Sequence, residues 1–202
     1  MKYFLIGATV LVVLLLIAQI MIARSTDGTE QQRYTVLHNE DAFEIRFYPE
    51  AIGASVVDSD TSWRGDANGN FRRLAGYIFG GNQEGKSIAM TAPVHMEQSE
   101  SGSKMSFVMP SAMEMDQLPK PNDNSIVISK MPADTVAALR FGGFASEHVI
   151  REKSEELLSL LKAKGIPVVS PVRYLGYNPP FQLVNRRNEV VVSVRWPAGG
   201  SR

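Results

Sequence analysis

The chain has 202 residues, of which 21 are basic and 21 acidic, so the length suits one domain with a short appendage. The two signs are interspersed, and this argues against a nucleic-acid partner, which would need a basic face. With no cysteine, disulfide scaffolds, thiolate metal sites and cysteine nucleophiles are excluded.

Residues 3–23 run for 21 positions without a charge, and Gln19 is their one strongly polar side chain. A helix of that length rises about 30 Å, enough to cross a hydrocarbon core. A cleaved signal peptide is the alternative. No small-x-small site precedes Arg24, because Met21 stands three residues before a cut after Ala23. Residues 1–24 are therefore expected to be a transmembrane signal-anchor (or signal peptide) that meets the bilayer through residues 3–23. The two-residue leader fits an N-inside anchor and puts the soluble domain on the periplasmic, extracytoplasmic side; Lys2, Arg24 and Arg33 are too few for the positive-inside rule to decide. Residues 25–33 read as a polar linker, 34–196 as the domain and 197–202 as a tail.

Within the domain, residues 43–48 alternate in the strand period until Pro49, and 52–59 form a second strand around Val56 and Val57. Trp63, Ala67, Phe71, Leu74, Ala75 and Ile78 then fall on one helical face. Thr61 or Ser62 caps this helix, and Gly80-Gly81-Asn82 stops it. Residues 88–97 and 105–109 read as a strand pair in which Pro93 marks an edge or bulge. Two more strands, 125–129 and 135–141, precede a helix over 146–164 that Ser146 caps and Gly165 with Pro167 ends. The closing strands are 172–177 and 189–194. The order strand, strand, helix, strand, strand thus occurs twice, and each helix is followed by a Pro-Val pair (Pro93-Val94, Pro171-Val172). This predicts a pseudo-twofold α+β domain whose antiparallel sheets curl toward a barrel, with two helices outside.

The stretch 71–82, Phe-Arg-Arg-Leu-Ala-Gly-Tyr-Ile-Phe-Gly-Gly-Asn, with Ser-Ile-Ala-Met-Thr-Ala-Pro-Val at 87–94, resembles the signature of the SOUL family, known as haem-binding proteins. Further matches are the Glu44-Ile45-Arg46 strand, Asn178-Pro179-Pro180-Phe181 and Arg186-Arg187-Asn188, so the likeness extends over roughly residues 34–194. It implies the SOUL haem-binding fold, a distorted β-barrel flanked by two α-helices. It also implies tetrapyrrole binding in a shallow cleft along the first helix. One branch of the family carries a histidine directly after the first-strand arginine; here that position is Phe47.

A haem site needs an apolar wall with cationic groups at its rim for two carboxylates. Phe71, Leu74 and Ile78 are the candidate wall, Arg64, Arg72 and Arg73 the rim. Met90, Met96, Met105, Met109, Met113, Met115 and Met131 crowd one stretch of the chain; they read either as core filling or as a soft clamp on a flat ligand, with Met90 on the signature strand. Of His38, His95 and His148, none has metal-site spacing to another; His95 is the candidate axial ligand. No Gly-x-Ser-x-Gly, His-Glu-x-x-His or phosphate loop is present. The expectation is a membrane-anchored carrier, buffer or sensor of haem or a related tetrapyrrole, without catalytic activity. The alternatives are a module for another small hydrophobic or cationic ligand, since the fold resembles effector-binding domains of transcription regulators, or a protein-interaction module.

Overall fold

A computed structural model describes residues 2–59, 67–99, 102–179 and 181–197. The chain opens with helix α1 (Lys2–Asp27), followed by β1 (Glu30–Gln31), β2 (Thr35–Asn39), β3 (Glu44–Tyr48) and β4 (Ala51–Asp58). Helix α2 (Ala67–Ile78) leads into β5 (Thr91–Ala92), β6 (Val94–Ser99) and β7 (Gly102–Val108). The second half holds β8 (Val127–Met131), β9 (Asp134–Phe141), helix α3 (Glu147–Ala163), β10 (Arg173–Gly176) and β11 (Asn188–Ser193).

Nine strands form one antiparallel sheet in the order β2-β3-β9-β11-β10-β6-β7-β4-β8. Leaving β2 aside, that order is a palindrome: exchanging β3 with β8, β4 with β9, β6 with β10 and β7 with β11 reproduces it. A pseudo-twofold axis therefore passes between β6 and β10 and exchanges α2 with α3, as the repeated element order predicts. The first strand of each half crosses to pair with the other half, β3 on β9 and β8 on β4. The barrel does not close. Strands β2 and β8 remain edges, so the expected barrel is a curled half-barrel.

Successive side chains on a strand point to opposite faces, and the two faces differ. One carries both helices: Ile45, Leu139, Val190 and Val192 lie beneath α3, and Ala54, Val56, Met105 and Phe107 beneath α2. The other carries a smaller apolar cluster (Tyr48, Val136, Leu175, Tyr177, Val191) among buried polar residues.

Helix α3 follows its sequence signals. The Val149 N–H donates to Ser146 Oγ at 3.3 Å, Ile150, Leu157 and Leu161 are buried, and Gly165 at φ +65° leads the chain away. In α2, Leu74, Tyr77 and Ile78 are buried. Gly80 (φ +101°) turns the chain, and the Gly81 N–H donates to the Gly76 carbonyl at 2.7 Å. A Cβ at position 81 would lie 2.6 Å from that oxygen, so the approach needs glycine. Asn82 then bonds the Tyr77 carbonyl and both backbone groups of Lys86. The expected first turn of this helix, with Thr61, Ser62, Trp63 and Arg64, lies outside the described residues.

Elsewhere the structure departs from the expectations. The strand foreseen over 88–97 is interrupted at Pro93, which has no N–H to donate. Its first part, β5, pairs in parallel with β1. The segment 25–33 is thus no free tether: α1 runs to Asp27, β1 joins β5, and the Gln32 N–H donates to Ala92 O at 2.8 Å. Strand β2, which no pattern announced, extends the sheet beside β3. Among the described residues no helix is long and apolar enough to cross a membrane.

Candidate ligand-binding site

Helix α2 packs on β4 and β7, and its buried stripe comprises Asn70, Leu74, Tyr77 and Ile78. Leu74 and Ile78 are 0% and 1% exposed, so they pack on the sheet beneath the helix and form no open wall. Phe71 is half-buried, its ring edge-on to Phe107 at 5.3 Å. Arg72 and Arg73 are exposed. Arg64 lies outside the described residues.

The open side of the helix is apolar where it is not cationic. Arg72, Gly76 and Phe79 are spaced i, i+4 and i+7, so they share one side of the helix. Phe79 continues α2's ladder, its N–H donating to Ala75 O at 3.0 Å, and its ring is 66% exposed. A Cβ on Gly76 would meet nothing within 4 Å. Ala75 and Gly76 therefore form a flat floor between an exposed aromatic ring and a guanidinium. Ala75, Gly76 and Phe79 were not among the site candidates read from the sequence. The spacing from Arg72 was the available signal. Met90 is half-buried against the cluster beneath α2, where Met105 and Met109 are core and Met113 packs alongside. Those methionines serve mainly as filling.

His95 sits elsewhere. It projects from β6 on the face opposite the helices, whereas its neighbour Met96 packs on the helix side. Its Nε2 lies 2.8 Å from Gln32 Oε1, and Nδ1 has no protein partner among the described residues. Burial, then the charges of Arg173 and Lys104, push its pKa down to about 3, so the ring is neutral. A ligand on the exposed side of α2 cannot reach it through the sheet. The geometry thus separates the axial-ligand candidate from the helix cleft.

The helix-free face holds a cavity of about 330 Å³. His95, Glu97, Lys104 and Ser106 approach it from one half of the sheet, Asp134 and Arg173 from the other. Side chains from β8 and β9, distant in strand order, both line it, which is possible only because the sheet curls. Arg173 donates to Asp134 Oδ2 at 2.5 Å and Ser193 Oγ at 3.0 Å, but its Nε has no partner among the described residues. Two buried polar atoms are thus left for a ligand or water.

Beside this cavity lies a buried ionic network. Glu189, 0% exposed, accepts from Arg46 at 2.7 and 3.2 Å, from Arg187 at 2.8 and 3.0 Å, and from the Tyr177 hydroxyl at 2.9 Å. Burial would raise its carboxyl pKa. Hydrogen bonds and charge from Arg46, then from Arg187, win and hold it below the usual carboxylate range. Arg46 also lies over the Tyr34 ring at 4.3 Å, and Arg187 over Tyr177 at 3.9 Å. Every carboxylate oxygen is occupied, so the network joins β3, β10 and β11 and leaves no reactive group. Among the described residues, no cluster of three metal-binding side chains occurs.

Residues 29–193 match the SOUL heme-binding protein family. Heme-binding protein 2 of Mus musculus is 33% identical over 157 residues, which cover 74% of this chain and 76% of that protein. The Homo sapiens protein of that name is 34% identical over the same shares. Among solved structures, the EcmrR C-terminal domain superposes with a TM-score of 0.55 at 12% identity, covering 80% of this chain and 98% of that one. A structure described as a hydrolase from Listeria innocua gives 0.55 at 11%, covering 79% and 94%. At such identities the likeness is one of fold. By this family match and these relatives, the chain belongs to the SOUL haem-binding protein family.

Proposed function

We propose that the protein binds haem or a related tetrapyrrole on the exposed side of α2, as a membrane-anchored carrier, buffer or sensor without catalytic activity. The carrying observation is the floor of Ala75 and Gly76 beside the 66%-exposed Phe79 ring, with Arg72 and Arg73 on the same helix. A flat disc lies on small residues, stacks against an aromatic edge and pairs its carboxylates with guanidinium groups. Leu74 and Ile78 fix the helix from below, Phe71 flanks it, and Met90 supplies a soft side chain in the same cluster. Arg64 extends the basic rim in sequence. With His95 on the far face, the site offers no histidine to iron, and free porphyrin is expected to bind about as well as haem.

The anchor rests on α1. Its Tyr3, Phe4, Leu11, Leu14 and Met21 are all more than half exposed, and the full sequence stays uncharged through residues 3–23. An apolar helix that exposes such side chains needs lipid. With the two-residue leader kept inside, the domain in this reading lies outside the cytoplasm.

A titration of the detergent-solubilised full chain with haem, followed by Soret absorbance, tests the site. Saturation near one equivalent is expected. Arg72→Ala/Arg73→Ala should weaken it about 3- to 30-fold, as for two exposed ion pairs of up to about 1 kcal/mol each. A featureless, non-saturating titration refutes the reading.

A second reading is favoured by the two unpartnered atoms in the helix-free cavity: a small polar ligand that accepts from Arg173 Nε and donates to His95 Nδ1. Thermal stabilisation by small polar compounds carrying both a donor and an acceptor, but not by porphyrins, would select it.

A further inference from the structure

The loop between β10 and β11 buries the side chain of Gln182 and shows its apolar ones. Phe181, Leu183 and Val184 are 61%, 56% and 50% exposed, and Phe144, on which Arg186 stacks at 5.1 Å, is 59% exposed. Four of its carbonyls are satisfied from within. Arg186 donates to the carbonyls of Pro179 and Gln182, at 2.8 and 2.7 Å. The buried Gln182 side chain donates to those of Val184 and Asn185, at 3.0 and 3.4 Å. Arg187 N–H donates to Asn178 Oδ1 at 2.6 Å. A further pair is met by α1: Gln19 Nε2 donates to Phe181 O at 3.3 Å, and Leu183 N–H donates to Gln19 Oε1 at 2.8 Å.

A water-exposed loop has no need of this arrangement, because water serves its carbonyls and apolar side chains turn inward. Irregular backbone beside hydrocarbon must meet every polar group internally and present apolar side chains outward. Gln19 fits the same logic. It is the one strongly polar side chain of residues 3–23, and an amide on an apolar helix needs a two-sided partner, here a backbone donor and acceptor. We propose that Phe181, Leu183 and Val184, with Phe144, dock into the surface of the lipid bilayer, and that Gln19 clamps the loop to α1 at that depth. This rests on the anchored reading of α1, which it deepens. The soluble domain is then held in one orientation on the membrane, by two attachments.

The absence of cysteine makes the test direct, since single cysteines can be introduced into the full chain and labelled with an environment-sensitive fluorophore. Leu14→Cys reports on α1, Val184→Cys on the loop and Val127→Cys on an exposed position of β8. The labelled chains are reconstituted into vesicles of phosphatidylcholine and phosphatidylglycerol carrying acyl-chain nitroxide lipid. Quenching at Leu14 and Val184, each at least threefold above Val127, is expected. In a Gln19→Leu background, quenching at Val184 should fall to the Val127 level while Leu14 is unchanged. Quenching at Leu14 with Val184 no different from Val127 overturns the docking loop and leaves the anchor standing. No quenching at either overturns both. Quenching at Val184 alone keeps the docking loop and removes the anchor. Unchanged quenching at Val184 in the Gln19→Leu chain overturns the clamp.

Discussion

Replacing Glu189 with glutamine tests how the helix-free face is held together. The substitution keeps shape and burial but removes the charge that faces Arg46, 3% exposed, and Arg187. Breaking a buried ion pair from one side costs about 3–5 kcal/mol, because the partner charge stays buried. Here the lower end applies. Arg46 keeps Glu44 at 2.6 Å, and Arg187 keeps its stacking on Tyr177 and its bond to Gln31. A loss of about 3 kcal/mol is a large part of the roughly 5–15 kcal/mol of a typical domain. It should lower Tm by about 6–12 °C at this size. Urea unfolding with unchanged m-value reads it. The exposed pair Lys130–Glu50, with side chains 65% and 56% exposed, is the control; Glu50→Gln should cost less than about 1 kcal/mol. Arg46→Met/Glu189→Leu should recover part of the loss, since the most deeply buried cation leaves with its partner while Arg187 keeps Gln31 and the Tyr177 ring. A Glu189→Gln loss below about 1 kcal/mol, no greater than that control, would refute the account. Because the folded pKa of Glu189 lies below its ordinary 4.5, its contribution is complete above that pH and is lost as pH falls through the folded value.

Haem bound to the His95→Ala protein should give the wild-type Soret spectrum, because position 95 lies across the sheet from α2; a changed spectrum would place iron on the other face. Between pH 6.5 and 4.5 the wild type should lose stability as pH falls, by up to about 1.4 kcal/mol per unit, since the unfolded chain takes up a proton that the buried ring, with its pKa near 3, refuses. His95→Gln should flatten that slope, and denaturant midpoints across the interval measure it. Leu74→Ala should cost about 2–5 kcal/mol by opening a cavity beneath α2, and haem titration at a temperature where it stays folded should show affinity changed less than in the arginine pair. Gly102→Ala should destabilise the β6–β7 turn, because its φ is +141° and an added Cβ would collide with the carbonyl of Asp58.

The repeated element order and the Ser146 cap were legible because their signals are local: alternation, helical spacing, a capping hydroxyl, a glycine stop. The strand crossing of β3 and β8 was not, since no local pattern states which half a strand joins. The same limit hid the role of residues 25–33, where two residues pair with a strand some sixty positions away. His95 was chosen for following Pro93-Val94 on the signature strand. Alternation alone puts it opposite Met96, but which face the helices cover is a tertiary fact. Leu74 and Ile78 were rightly read as apolar helix positions, and only packing could show that the stripe they form is spent on the core. The open strip of Arg72, Gly76 and Phe79 was within reach of helical spacing.

The pseudo-twofold sharpens the functional argument, because it supplies an internal comparison. It exchanges α2 with α3, so any feature the sheet demands of its covering helices should occur on both. The buried stripes do recur: Leu74, Tyr77 and Ile78 in one, Ile150, Leu157 and Leu161 in the other. The outer faces do not. Helix α3 shows Arg151, Glu152, Glu155, Glu156 and Lys162 to solvent, with Lys153 and Glu156 paired at 2.7 Å, the solvated surface of an ordinary covering helix. Helix α2 instead shows a flat Ala-Gly floor, a bare phenylalanine and two arginines, without an acidic residue in its twelve positions. The fold does not require that surface, and it lowers solubility. Its presence on one of two equivalent helices supports the proposed site for a ligand that is flat, apolar and anionic at its edge.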